Sequence, residues 1–195
     1  MSKIKVFCFG FGQVAQYFAR KILKENKQLE LNISSRKKSY ISKFEGLNMN
    51  SYEFSNTKID KDMNSKIQDA DFILVSIPPV NGEDIVIKNL KETIKKTNTK
   101  WITYLSATSV YGNHEGGWVN EDSETKPTSI NGIKRLEAEN QWLKYANENN
   151  LPLQIFRLSG IYSVENNILK RLISGQAKII KKENHYFSRI HVEDI

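Results

Sequence analysis

The sequence predicts an α/β protein built on one doubly wound parallel sheet. Short apolar runs alternate with longer amphipathic runs, which is the β-α-β-α order of this class. The run from Phe72 to Ile77 is apolar at successive positions, as expected for a strand that helices cover on both faces. The 195 residues are close to the size of one globular domain. We therefore expect parallel strands in the order 3-2-1-4-5-6.

The elements follow in order along the chain. The predicted strands are KIKVFCF, LELNIS, MNSYEF, DFILVSI, WITYLS and LPLQIFRL. The predicted helices are Gln13 to Glu25, a polar piece from Arg36, Lys61 to Ala70, Asp84 to Lys96, Asn131 to about Glu148, and Asn166 to Ser174. The helix from Asn131 carries two apolar stripes, one with Ile133, Leu136 and Leu143 and another with Ala138 and Trp142. One of these faces could form a homodimer.

Composition and charge limit the class of protein. No stretch has the apolar length of a membrane helix, and the N-terminus runs into a strand rather than a signal peptide, so we expect a cytoplasmic protein. The net charge of +7 comes from scattered lysines without a nucleic-acid-binding motif, so nucleic acid is not an expected partner. The single cysteine, Cys8, lies in the first apolar run and is expected to be a buried hydrophobe. No metal site is predicted.

The stretch VFCFGFGQVAQYFARKIL predicts a strand, a phosphate-binding turn and a helix. Gly10 permits the tight turn, Gly12 lets the backbone approach a pyrophosphate, and Ala15 lets the helix pack closely on the strand. The amides and the positive end of the helix dipole favour a bound phosphate. Alternatively, the glycines only form a tight turn. The predicted cofactor-binding residues here are Gly10, Phe11, Gly12, Gln13 and Val14.

The end of the second strand favours NADP(H) over NAD(H). A protein that prefers NAD usually has Asp or Glu there, whereas this chain reads NISSRKKS. Ser34 and Ser35 offer hydroxyl groups, and Arg36 and Lys37 could bind a 2′-phosphate through charge-assisted hydrogen bonds. The alternative is that the basic run is a solvated helix start.

The segment VSIPPVNGED follows the fourth strand, at the sheet edge where ligands lie in such folds. Pro78 and Pro79 stiffen this loop and lack N–H donors. We expect Ile77, Pro78 and Pro79 to form a wall against the cofactor, although a loop that simply leads into a helix would look the same.

Three segments together resemble one family. They are the Gly10 turn, YLSATSVYGNHEGGWVNEDSETKP in a long loop of the kind that is usually functional, and RLSGIYS with FSRIHVEDI. The chain resembles extended short-chain dehydrogenases/reductases of the NAD(P)-dependent epimerase/dehydratase type over nearly its whole length. The family's three turn glycines correspond to Phe9, Gly12 and Ala15, and the additional Gly10 marks an atypical branch.

The resemblance implies a reaction centre with a Ser or Thr and a Tyr-x-x-x-Lys, and this chain has exchanged all three residues. The Val110-Tyr111-Gly112 motif places Ala107 at the Ser/Thr position, between Ser106 and Thr108. Pro127 and the match of Arg135-Leu136-x-x-Glu139 place Asn131 and Arg135 at the tyrosine and lysine positions. Asn131 cannot titrate, Arg135 stays protonated and Ala107 has no hydroxyl.

Ordinary proton transfer would therefore need another acid or base. The candidate catalytic residues are Thr108, Tyr111, Asn131 and Arg135, and Ser106 is a candidate cofactor contact. His114, Glu121 and Asp122 are further polar residues of the loop, with His114 expected to be an exposed loop residue.

The predicted organisation is a dinucleotide-binding Rossmann domain at 1–160 and the beginning of a substrate-binding part at 161–195, most of which is expected to be missing. Tyr162-Ser163-Val164 stands where the family has Tyr-Gly-Pro. The expected function is an NADP(H)-dependent oxidoreductase or epimerase acting on a nucleotide sugar or another small carbonyl compound. The alternatives are a non-catalytic dinucleotide-binding sensor or assembly protein, and a homologue without any ligand.

Overall fold

The apolar runs form a seven-stranded sheet in the computed structural model, which describes residues 3–25, 28–178 and 186–195. The strands of this sheet are β1 (Ile4–Phe9), β2 (Leu29–Ser35), β3 (Tyr40–Phe44), β4 (Leu47–Glu53), β5 (Phe72–Val75), β6 (Trp101–Ala107) and β7 (Leu153–Leu158). Two further strands, β8 (Gly160–Tyr162) and β9 (Arg189–His191), form a separate parallel pair.

Five α-helices and two 3₁₀ turns connect the described strands. The helices are α1 (Gln13–Glu25), α2 (Met63–Gln68), α3 (Ile85–Ile94), α4 (Ile130–Asn149) and α5 (Ile168–Ile173). The 3₁₀ turns are Thr108–Val110 and Val192–Asp194. None of the described helices is long and apolar enough to cross a membrane.

The strand order is β3-β4-β2-β1-β5-β6-β7. All neighbours are parallel except β3 and β4, which are antiparallel. The six parallel strands therefore follow the expected 3-2-1-4-5-6 order, which confirms the predicted fold. The order reverses between β1 and β5, and ligands bind at such a switch point in open α/β sheets.

The prediction of a polar helix that starts at Arg36 is wrong. The chain instead forms the edge strand β3, which turns back into β4 through Glu45 and Gly46. Both turn residues have positive φ, 49° and 80°, as a two-residue hairpin turn of type I′ requires. Aromatic and β-branched residues such as Tyr40 and Ile41 suit an edge strand, and the short hairpin replaces a helical crossover.

The sheet has a hydrophobic layer on each face. Phe7, Ile73 and Tyr104 pack in a cluster with residues of α2, α3 and α4. Cys8 and Leu105 pack in a second cluster with α1. Cys8 is fully buried, and this burial raises the pKa of its thiol to about 12, so the residue is the inert hydrophobe that the sequence predicted.

Helix α4 buries only one of its two predicted stripes in the single chain. Ala138 and Trp142 are buried, whereas Ile133 and Leu143 are each 43% exposed. The exposed stripe is compatible with a homodimer, which stays a prediction.

Candidate functional site

The turn between β1 and α1 has the conformation of a phosphate-binding turn. Gly10 has a φ of +83°, and its amide donates a hydrogen bond to Ser34 Oγ at 3.2 Å. A Cβ on Gly10 would lie 2.8 Å from Ile77 Cγ2, so glycine is required on both counts. These contacts bring together the ends of β1, β2 and β5.

The N-terminus of α1 is open. The first helical hydrogen bond runs from the Gln16 amide to the Gly12 carbonyl at 3.0 Å, so the amides of Gln13, Val14 and Ala15 precede it. A Cβ on Gly12 would have no heavy atom within 4 Å, and the first turn carries no acidic residue. Gln13 Nε2 is buried with no hydrogen-bond partner among the described residues. The first amides of a helix and the positive end of its dipole are groups that favour an anion.

The end of β2 presents exposed cations next to that turn. Ser34 is buried and engaged by the Gly10 amide, and Ser35 Oγ accepts hydrogen bonds from the Lys37 amide at 3.2 Å and from Ser51 Oγ at 3.1 Å. Arg36 and Lys37 are exposed and form no ion pair within the described chain. They do not begin a helix, so the helical part of that alternative is wrong, whereas their exposure agrees with its other part, a solvated basic run.

The loop after β5 is held between the turn and helix α4. Ile77 lies against Gly10, followed by the exposed Pro78 and the half-buried Pro79. Gln141 of α4 accepts a hydrogen bond from the Asp84 amide at 3.1 Å and donates one to the Gly82 carbonyl at 2.8 Å. The loop therefore also leads into α3, as the alternative interpretation proposed.

Asp84 ends this loop as the N-cap of α3. Its Oδ1 accepts hydrogen bonds from the amides of Val86 at 2.9 Å and Ile87 at 3.1 Å. Burial raises the pKa of Asp84, and the hydrogen bonds oppose that shift. This position agrees with the predicted helix start at Asp84, since Asp before an amphipathic run is a helix-start signal.

The end of β6 carries an unpaired hydroxyl. Ser106 is 5% exposed, and its Oγ has no hydrogen-bond partner among the described residues. Ala107 ends the strand without a hydroxyl, and Thr108 begins the 3₁₀ turn, half-buried. In register, Ser106 is opposite Arg157 of β7.

Arg135 reaches from α4 to the end of β6. Its Nη1 donates hydrogen bonds to the Leu105 carbonyl at 2.7 Å and to Tyr104 Oη at 3.3 Å. Burial raises the pKa of Tyr104 to about 12, so Tyr104 is a neutral acceptor near pH 7. The guanidinium is thus a fixed positive charge at this edge.

Asn131 lies exposed in the first turn of α4. Ser129 caps this helix by accepting a hydrogen bond from the Gly132 amide at 3.0 Å. A Cβ on Gly132 would lie 2.5 Å from the Ser109 carbonyl oxygen, so glycine lets α4 approach the 3₁₀ turn. The structure brings Asn131 and Arg135 to the same sheet edge as Ser106 and Thr108.

Tyr111 is buried, and its hydroxyl is already hydrogen-bonded. Arg157 Nη1 donates a hydrogen bond to its hydroxyl at 3.1 Å, and Arg157 also pairs with the fully buried Glu139 at 2.9 Å. Arg157 is not among the predicted site residues, although an arginine inside an apolar strand is a recognisable signal. His114 is not fully exposed, because its Nε2 lies 3.0 Å from the Glu124 carbonyl. Glu121 and Asp122 are exposed.

A groove lies elsewhere in the molecule. It has a volume of about 790 Å³ and lies between α1 and the 3₁₀ turn Val192–Asp194. Val14 is the one predicted site residue in its lining. The groove is therefore not the candidate site, which lies at the carboxyl edge of the parallel strands.

A model of the NAD dependent epimerase/dehydratase family matches residues 85–193. The chain belongs to this family. This membership confirms the resemblance that the motifs carried. No match is found among functionally curated proteins.

Solved structures share this fold. A functionally unknown conserved protein from Silicibacter pomeroyi DSS is 29% identical with a TM-score of 0.79, over 98% of this chain and 65% of that one. UDP-glucuronic acid 4-epimerase from Bacillus cereus, in complex with UDP-glucuronic acid and NAD, is 17% identical with a TM-score of 0.74, over 98% and 70%. UDP-N-acetylglucosamine 4-epimerase from Methanobrevibacter ruminantium M1 is 15% identical with a TM-score of 0.75, over 100% and 71%. The chain thus spans 65% of the length of the Silicibacter pomeroyi protein.

Proposed function

We propose that the chain binds a nicotinamide dinucleotide and belongs to an epimerase/dehydratase-like oxidoreductase that acts on a nucleotide sugar or another small carbonyl compound. The observation that carries this proposal is the open N-terminus of α1, where a Cβ on Gly12 would meet no heavy atom within 4 Å and the first amides precede the helical hydrogen bonds. The Bacillus cereus epimerase was solved with NAD and UDP-glucuronic acid, which supports the same classes of ligand here.

NADP(H) is the proposed form of the cofactor, with NAD(H) as the alternative. The exposed Arg36 and Lys37 follow β2 directly, and the two serines before them provide no carboxylate for a ribose 2′-hydroxyl. A planar guanidinium suits a 2′-phosphate. The NAD in the Bacillus cereus structure favours the alternative.

The residues at the reaction centre support a second candidate function, a dinucleotide-binding protein without catalysis. Asn131 and Ala107 offer no titratable group, and Arg135 donates to a backbone carbonyl and to Tyr104. Thr108 and Tyr111 remain the proposed alternatives for proton transfer. A turnover assay separates the two candidates.

Titration of the protein with NADPH and with NADH, followed by cofactor fluorescence, tests the cofactor proposal. Loss of a charge-assisted hydrogen bond is worth about 1.5–3 kcal/mol, so Arg36→Ala should weaken NADPH binding about tenfold to a hundredfold and leave NADH unchanged. Lys43→Ala on β3 removes the same charge elsewhere and serves as the control. Equal affinity for both cofactors would contradict the NADP preference, and no binding of either would contradict both candidate functions.

Conversion of a nucleotide sugar to its epimer, or steady NADPH consumption with small carbonyl compounds, would exclude the non-catalytic candidate. A cytoplasmic location, the division at 160/161 and a homodimer through the exposed stripe of α4 are further parts of the proposal. A solution mass of twice 22.5 kDa, lowered to one chain by Leu143→Glu, would support the dimer.

A further inference from the structure

A buried ion pair lies beneath the long loop. Glu139 of α4 is fully buried, and Arg157 of β7 keeps 22% of its side chain exposed. Arg157 Nη2 lies 2.9 Å from Glu139 Oε2, and Nε lies 3.1 Å and 3.3 Å from the two carboxylate oxygens. This two-nitrogen geometry is the fork that gives the strongest arginine–carboxylate pairs. The pair joins α4 to the last strand of the sheet.

The third nitrogen of the same guanidinium turns to the loop. Nη1 donates to Tyr111 Oη at 3.1 Å and approaches the Glu121 carbonyl oxygen at 3.5 Å. The guanidinium carbon also lies 4.9 Å from the centre of the Tyr111 ring, within the range of a cation–π contact. One side chain therefore contacts the helix, the base of the loop and its middle.

The loop itself closes on Tyr111. The Lys126 amide donates to the Tyr111 carbonyl at 3.3 Å, and Gly112 pairs with Lys126 in an isolated bridge. Gly112 has a φ of +73°, and a Cβ there would lie 2.0 Å from the Lys126 carbonyl oxygen. Because the two ends of the loop meet at Tyr111, whatever holds Tyr111 also places the segment from Tyr111 to Lys126.

We propose that Arg157 is a positioning residue that sets this loop against helix α4. Asn131 and Arg135 lie on α4, and Thr108 lies just before the loop, so the contact fixes the candidate site relative to the loop that borders it. Any effect of this contact on the recognition of a small-molecule substrate rests on the proposed function. The contact itself, and its test, require neither cofactor nor turnover.

Arg157→Lys separates positioning from folding. A lysine ammonium can pair with Glu139 and neutralise the buried carboxylate, but it is a compact charge that cannot also span to Tyr111 and Glu121. In amide hydrogen exchange on the protein without cofactor, we expect the Tyr111 and Lys126 amides to exchange about tenfold faster, while core amides of β1 and β5 keep their rates.

A second variant guards against misfolding. Arg157→Met alone leaves a buried charge unpaired, whereas Glu139→Leu combined with Arg157→Met removes both charges, a replacement that is often neutral for stability. We expect the double variant to melt near the wild-type temperature. Its loop amides should exchange faster than those of the wild type, as in Arg157→Lys. Arg171→Lys, at an exposed guanidinium that donates to Asn166 at 3.2 Å, is the control and should change nothing in the loop.

Two results would overturn the proposal. Loop amides as slow in Arg157→Lys and in the double variant as in the wild type would show that Arg157 does not hold the loop. Uniformly faster exchange over the loop and the core would show that the pair acts only on global stability. A protein that binds neither NADPH nor NADH refutes the proposed function and leaves the exchange comparison intact.

Discussion

Replacing Gly12 by alanine separates the stability of the fold from the binding of a dinucleotide. The φ of Gly12 lies outside the positive range, and a Cβ there meets no heavy atom within 4 Å. The fold can therefore accept the methyl group without strain. Because alanine restricts the unfolded chain more than glycine does, the free energy of unfolding should rise by about 0.4–1 kcal/mol. For a chain of this size, that corresponds to a melting temperature about 1–4 °C higher.

Binding should change in the opposite direction. The amide groups that would hold a pyrophosphate need an oxygen at about 2.9 Å, whereas a methyl carbon keeps its neighbours at about 3.5 Å or more. The added carbon would lie in open space beside the first amides of α1, where the proposed pyrophosphate would bind. Displacing the phosphate breaks at least one charge-assisted hydrogen bond, so NADPH affinity should fall about tenfold to a hundredfold.

The measurement pairs thermal unfolding with a fluorescence titration of NADPH. Gly46→Ala is the matched control, because Gly46 has a φ of +80° in the β3–β4 turn with no atom within 4 Å of a Cβ. It should cost about 1–2 kcal/mol of stability and leave binding unchanged. Unaltered NADPH affinity in a Gly12→Ala protein that melts at or above the wild-type temperature would refute the reasoning.

Three further predictions concern single side chains. Asp84→Ala removes the side chain that caps α3 and should lower the free energy of unfolding, measured in urea, by about 2 kcal/mol. An unchanged free energy of unfolding would show that this cap does not stabilise the helix. Burial raises the pKa of Tyr104 from 10.0 to about 12, so the native state keeps a proton that the unfolded state releases. The free energy of unfolding of the wild type should therefore fall as the pH rises from about 10 to about 12, and Tyr104 should contribute up to about 1.4 kcal/mol per pH unit to this fall. The Tyr104→Phe variant should lose less stability over the same pH range. An equal loss in both proteins would contradict the raised pKa of Tyr104. Cys8 should resist a thiol reagent at pH 8 until urea unfolds the chain, and rapid labelling of the native protein would disagree with its burial.

Residues near one another in sequence could be predicted well. The Gly10 turn, the apolar strand Phe72–Val75 and the start of α4 depend on spacing within one or two turns of chain, and each forms where the pattern indicated. The prediction fails at β3, where the polar run from Arg36 indicates a helix and the chain forms a strand. Hairpin pairing with β4 and the positive φ of Gly46 decided that segment, and local polarity does not reveal either.

The candidate site shows the same division. Its position at the strand ends followed from the order of the elements, but the engagement of Tyr111 by Arg157 did not. That contact joins two residues separated by 46 positions, and the pair with Glu139 spans 18. Tyr111, a candidate acid because of its place in the Val-Tyr-Gly motif, therefore lies buried and bonded to Arg157, which pairs with Glu139.

The sequence by itself determined the parallel order of the sheet, the tight turn at Gly10 and the family, because period, glycine placement and motif spacing are local properties of the chain. Only the tertiary structure decided which stripe of α4 is covered, which serines of β2 are already engaged and which arginine holds the loop. These outcomes depend on residues that meet only after the sheet has formed, since burial and hydrogen-bond partners are set by distant segments.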